Sequence, residues 1–169
     1  MPEDVGTLYL RDVTERFRAY KKLGERAIVQ VYDSGLTWQI DADSNSIAVL
    51  VKHLAGNMRS RWIGFLTSDG EKPERNRDSE FELAPGLTRE QLFEWWDDGW
   101  ACLFEALESL RPEDLTRTVT IRGQPYPAIE AITTQLAHYA YHVGQIVQIA
   151  RHLAGKAWKP LTLPKRRPA

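Results

Sequence analysis

The chain has 169 residues, with 22 Lys and Arg against 23 Asp and Glu for a formal net charge of -1. That length fits one domain over residues 1–169, which on folding buries roughly 70% of the surface of its unfolded chain. The balanced charge gives no electrostatic footprint for nucleic acid, and no apolar run reaches the length of a membrane span.

Cys102 is the only cysteine, which excludes an internal disulfide and a cysteine-based zinc site and fits a reducing, cytoplasmic setting. Met1-Pro2-Glu3-Asp4 lacks the basic start and apolar stretch of a secretory leader. The basic cluster Lys165-Arg166-Arg167 sits among prolines and reads as a solvated tail.

In chain order, Leu10, Val13, Phe17, Tyr20, Ala27 and Ile28 recur at helical steps and predict a first helix over about Thr7 to Val31. Asp33-Ser34-Gly35 ends it with turn chemistry. A second helix starts near Asn45 or Ser46, either of which can cap it, and runs through Ile47, Leu54, Met58 and Phe65 to stop before Ser68. Its opening, Ile47 to Val51, is apolar all round, so it belongs at the bundle centre or at a subunit interface. Ser68 to Gly86 is polar and irregular; a connection this long is often functional or mobile, while its charge run reads as a solvated loop.

Thr88 with Gln91 forms a capping-box pattern for a third helix over Arg89 to Leu110, ended by Arg111-Pro112-Glu113-Asp114. Thr118 to Arg122 alternates and is β-branched, which predicts a short strand or extended crossover, broken by Gly123 to Pro127. A fourth helix covers Ala128 to Leu153 and ends at Gly155. Four long helices with long crossovers make an all-α four-helix bundle.

His138 and His142 stand four apart on the fourth helix. That spacing turns about 40° and advances about 6 Å, so both imidazoles reach one point. Such nitrogens suit a divalent first-row ion, zinc or nickel first, iron or manganese second. Four histidines give some such pair by chance in roughly one sequence in seven, so on spacing alone the pair reads equally as two packed histidines. His152 is about 15 Å further along the axis and is excluded. A third histidine ligand must then be His53 on the second helix, provided its face meets the fourth.

No HExxH helix is present, and the Glu-x-x-His pattern of di-iron bundles is missing. Asn57 and Gln145 each stand one turn after a proposed ligand and could orient it or bond a water; helix contact explains them equally well. Arg61 continues the Asn57 row, where surface pairing outweighs a hold on an anionic substrate group. Cys102 reads as core packing rather than a nucleophile. Tyr139, Tyr141, Trp95, Trp96 and Trp100 read as packing or interface. The six tryptophans and the apolar start of the second helix together suggest a homodimer.

The runs His53-Leu54-Ala55-Gly56-Asn57-Met58-Arg59-Ser60-Arg61-Trp62, Thr67-Ser68-Asp69-Gly70-Glu71-Lys72-Pro73 and His138-Tyr139-Ala140-Tyr141-His142-Val143-Gly144-Gln145-Ile146 resemble the DinB/YfiT-like superfamily. More narrowly, they resemble a bacterial branch known only as a domain of unknown function. The resemblance implies an up-down-down-up bundle, often dimeric, with a divalent metal on three histidines, here His53, His138 and His142. It implies a metal-dependent enzyme, a transferase using a low-molecular-weight thiol or a metal-assisted hydrolase, acting on a small molecule. The alternative is a non-catalytic, stress-related dimer that binds metal or a small ligand. No general base is visible in the sequence.

Overall fold

The structure is a computed structural model and describes residues 3–163; the basic cluster at 165–167 lies outside that range. Helix α1 spans Val5–Ile28, with Asp4 accepting from the N–H groups of Gly6 and Thr7 at its start. Helix α2 spans Ile47–Trp62, and Ser46 caps it by accepting from the Val49 N–H. It ends three residues sooner than the apolar pattern implied, because the chain turns at Gly64, whose φ is +63°. Helix α3 spans Arg89–Ser109 behind the reciprocal Thr88–Gln91 capping box. Helix α4 spans Ala128–Ala154 and stops at Gly155, with φ +51°.

Between α3 and α4 the prediction needs a correction. Gly123 does turn the chain, but residues 124–127 pair back on the strand. Strand β1 (Thr118–Ile121) and strand β2 (Gln124–Pro127) are antiparallel, with Thr118 opposite Pro127 and Ile121 opposite Gln124. The two-residue turn holds Arg122 (φ +55°) and Gly123 (φ +72°), both in the positive-φ region that two-residue hairpin turns favour.

Helix directions follow from the side chains that meet. The α1 residues Lys21 and Arg18 reach Asp97 and Phe104 of α3, so those helices run antiparallel. On α2, Lys52 lies over Trp95 and Arg59 pairs with Asp98, so α2 and α3 run parallel. Tyr9 bonds Thr133 while Phe17 packs on Tyr139, which makes α1 parallel to α4. His53 meets His142 while Trp62 meets Tyr139, so α2 opposes α4. The bundle is up-down-down-up.

Phe17, Trp62, Trp100 and Tyr139 form the aromatic centre, with ring centroids 5.8–6.3 Å apart in edge or tilted contacts. Close approach of α2 and α3 depends on Gly99, where an added Cβ would lie 2.8 Å from the Ala55 Cα. All five residues of the apolar opening Ile47–Val51 are buried within the chain. That segment therefore belongs to the bundle centre and leaves no apolar face for a second copy. Trp62, Trp96 and Trp100 are likewise used by the chain's own core.

Candidate metal centre

The antiparallel α2–α4 contact brings His53 to His138 and His142. One ligand nitrogen from each of the three lies within 4.8 Å of the others, and the Nε2 atoms of His138 and His142 are 3.1 Å apart. His53 and His142 are buried and His138 is half-buried. Among the described residues no other His, Cys, Asp or Glu joins the group. His152 stands apart, stacked on Trp38 at 5.1 Å.

Each buried histidine has its other ring nitrogen anchored. His53 Nδ1 donates to Glu80 Oε2 at 2.8 Å, and His142 Nδ1 donates to Gln145 Oε1 at 2.7 Å. Both bonds leave the Nε2 lone pairs facing the cluster, the arrangement in which an outer partner fixes ring orientation and raises ligand basicity. Burial, together with the neighbouring imidazoles, lowers the His138 pKa to about 3. Burial also lowers His142 to about 4, against the opposing bond to Gln145. Both rings are therefore neutral at pH 7, as metal ligation requires. Three convergent imidazole nitrogens, one from each histidine, fit a divalent first-row ion.

Glu80 was not visible in the sequence. The charge run of residues 69–78 read as a solvated loop, which holds for Pro73, Glu74 and Asn76 to Asp78 but not for Glu71 and Arg75, whose side chains turn inward. A 3₁₀ turn over Asp78–Phe81 folds back on α2 and buries Glu80, with the Arg75 side chain tucked in beside it. Arg75 Nε donates to Glu80 Oε1 at 2.7 Å and Arg75 Nη2 to Oε2 at 2.9 Å. Burial pushes the Glu80 carboxyl up, but the bonds from His53 and Arg75 outweigh it and hold the group below its ordinary value. Glu80 reaches His53 because residue 56 is glycine. A Cβ there would stand 2.7 Å from the Glu80 carboxyl carbon. A glycine inside a helix, one turn after a histidine, is the sequence signal that could have pointed to a close approach here.

The remaining predicted residues separate. Gln145 orients His142. Asn57 lines the cavity beside the histidines, but its Oδ1 accepts from the Tyr139 hydroxyl at 2.9 Å. That hydroxyl in turn accepts from Trp62 Nε1 at 2.9 Å, so Tyr139 is a buried polar link between α2 and α4. Arg61 is not a surface residue: it is 7% exposed, donates to the Gly70 carbonyl and pairs with Glu71 at 3.2 Å. Tyr141 is more than half exposed and packs its ring against His138 and His142 at the rim. Cys102 is half-buried against the core, away from the cluster, and burial raises its pKa.

A cavity of about 610 Å³ opens beside the histidines and is lined by residues of α2, α4, the 63–88 loop and the hairpin tip. The tip docks on the loop: Asp69 accepts from the N–H groups of Arg122 and Gly123 at 2.9 and 2.8 Å, and Gly70 N–H donates to the Thr120 carbonyl. Among the described residues no aspartate or glutamate lines the cavity.

Among curated proteins none matches the chain. In fold it is similar to a DinB-like protein (YjoA) from Bacillus subtilis of known crystal structure. The likeness covers 92% of this chain and 99% of that one, at 14% identity and a TM-score of 0.63. No described helix is long and apolar enough to cross a membrane. The family model for a protein of unknown function (DUF1572) matches residues 4–167, so this DinB-like bundle belongs to that family.

Proposed function

We propose that the chain is a metal-dependent enzyme acting on a small molecule, with a divalent ion on His53, His138 and His142. The observation that carries this reading is the pairing of three histidines, with no fourth protein ligand among the described residues, with a cavity of about 610 Å³ beside them. Structural zinc sites are closed by four protein ligands, whereas catalytic ones keep a position open. The all-nitrogen donor set favours zinc or nickel over iron or manganese. The ion would supply Lewis-acid polarisation and lower the pKa of a water or thiol, which suits thiol transfer or hydrolysis.

The chain's own residues set the geometry. Glu80 and Arg75 lock the His53 ring, and Gln145 locks His142. The Trp62–Tyr139–Asn57 link holds α2 against α4 at the level of the site. Tyr141 shields the histidines on the solvent side. The single cysteine supports a cytoplasmic setting, where low-molecular-weight thiols are abundant.

The test is turnover by protein stripped with chelator and then reloaded with zinc or nickel. The assays are cysteine or glutathione with an electrophilic chloronitrobenzene, and chromogenic esters. Metal-dependent turnover above background, lost in His142→Ala, supports the enzyme. One observation favours a second reading, a non-catalytic metal- or small-ligand-binding module: no carboxylate lines the cavity to serve as a general base. Metal retained without turnover in either assay would put that module first.

A further inference from the structure

Among the described residues, every charged side chain facing the cavity, apart from the histidines, is an arginine: Arg61, Arg75, Arg77 and Arg122. They come from three separate segments, namely α2, the 63–88 loop and the hairpin tip. The carboxylates behind them are already engaged. Glu80 is held by His53 and Arg75, and Glu71 accepts from Arg61, Arg75 and Arg122 at 3.0–3.2 Å. Asp69 is taken up by backbone N–H groups of Glu71, Arg122 and Gly123. Four guanidiniums thus face three carboxylates, none of which lines the cavity, and the wall carries surplus positive charge.

Two arginines have capacity to spare. Arg77 makes no ion pair among the described residues; its guanidinium lies over the Phe81 ring at 5.0 Å. Arg61 is buried, yet its Nε has no hydrogen-bond partner among the described residues. Both line this cavity. An unpaired donor on a buried cation is costly, and such a group in a folded chain calls for a water or a ligand. Guanidiniums are the side chains suited to carboxylate and phosphate oxygens, which they bind through paired N–H groups.

We infer that the cavity recognises an oxyanion: the substrate carries a carboxylate or phosphate group seated on Arg61, Arg77 and Arg122, with its reacting end toward the histidines. This rests on the reading of the cavity as a substrate site. Arg75, tied to both Glu71 and Glu80, positions the wall and couples it to the ring of His53.

The test is calorimetric titration of the full chain, first metal-free and then zinc-loaded, at low ionic strength. The probes are inorganic phosphate, succinate and the neutral analogue succinamide. The expected result is one phosphate or succinate bound per metal-free chain, with succinamide silent. Affinity should fall at least fivefold in Arg77→Gln and in Arg122→Gln, and more in the pair, while Arg16→Gln on α1 leaves it unchanged. Both wall residues are exposed, so thermal melting should show their variants folded. Preference for one anion assigns the group. Absence of binding to either form overturns the inference. So does binding that needs zinc and ignores both substitutions, because the anion would then be a metal ligand only. Failure to take up zinc would sink the metal reading alone, since the metal-free titration tests the wall independently.

Discussion

Gly56→Ala adds one methyl group to a helix interior, a change that ordinarily stabilises a helix by about 1 kcal/mol. Here the new Cβ would stand 2.7 Å from the Glu80 carboxyl carbon and 3.2 Å from its Cγ. Ordinary carbon contacts are about 3.5–4.0 Å, so Glu80 must retreat by roughly 1 Å. Its 2.8 Å bond to His53 Nδ1 then lengthens beyond hydrogen-bond range. Losing the outer partner of a ligating histidine typically costs about 10–100-fold in metal affinity, which is about 1.4–2.7 kcal/mol. The overpacking itself costs about 1–3 kcal/mol and cancels or exceeds the helix gain. Affinity is read by competition with a chromophoric chelator for zinc at fixed pH, and stability by urea unfolding in excess chelator. A variant that binds zinc within twofold of the parent, and is more stable, would refute the claim that Gly56 seats Glu80 against His53.

Glu80→Gln keeps the shape but removes the charge that neutralises buried Arg75. It should weaken zinc binding by about 10–100-fold and lower stability by about 3 kcal/mol, with Glu71 as the partner left to Arg75. Combined with Gly56→Ala its effect on affinity should be far less than additive, since both act on one bond, and the same competition assay reads this. Tyr139→Phe strands the buried Trp62 Nε1 donor and Asn57 Oδ1 acceptor, and should cost about 2–4 kcal/mol in urea unfolding. For the metal-free protein, stability should fall on acidification below about pH 6.5. The native His138 and His142 have pKa values lowered to about 3 and about 4, so the unfolded chain takes up protons that the folded one refuses. Stability is undiminished by these groups above about pH 6.5, and the loss accumulates as the pH falls from there toward 4 for His142 and 3 for His138. Urea midpoints that stay flat between pH 7 and 4.5 would contradict the burial of these rings.

The helices were legible because their signals are local: Ser46, Thr88 with Gln91, and Gly155 mark their ends, and period-3.6 apolar runs fill them. The His138–His142 pair was equally local. His53 was not, since spacing could place it on α2 but could not say which neighbour that face meets; the resemblance supplied the partner. The hairpin escaped because Arg-Gly is a poor signature for a two-residue turn, and Pro125 and Pro127 argue against a strand except where, as here, it is an edge. Glu80 and Arg75 escaped for another reason. Their burial depends on a loop returning to α2 across 27 residues, which leaves no periodic trace. In composition such a loop looks the same as one that faces water.

The most direct test of the three-histidine centre is the metal content of protein purified without an affinity tag, measured beside His53→Ala and His142→Ala. About one divalent ion per chain, lost in both variants while the helical circular dichroism persists, is the predicted result. A chain that takes up no ion after zinc or nickel reloading, or that retains its ion without His53, would contradict the account.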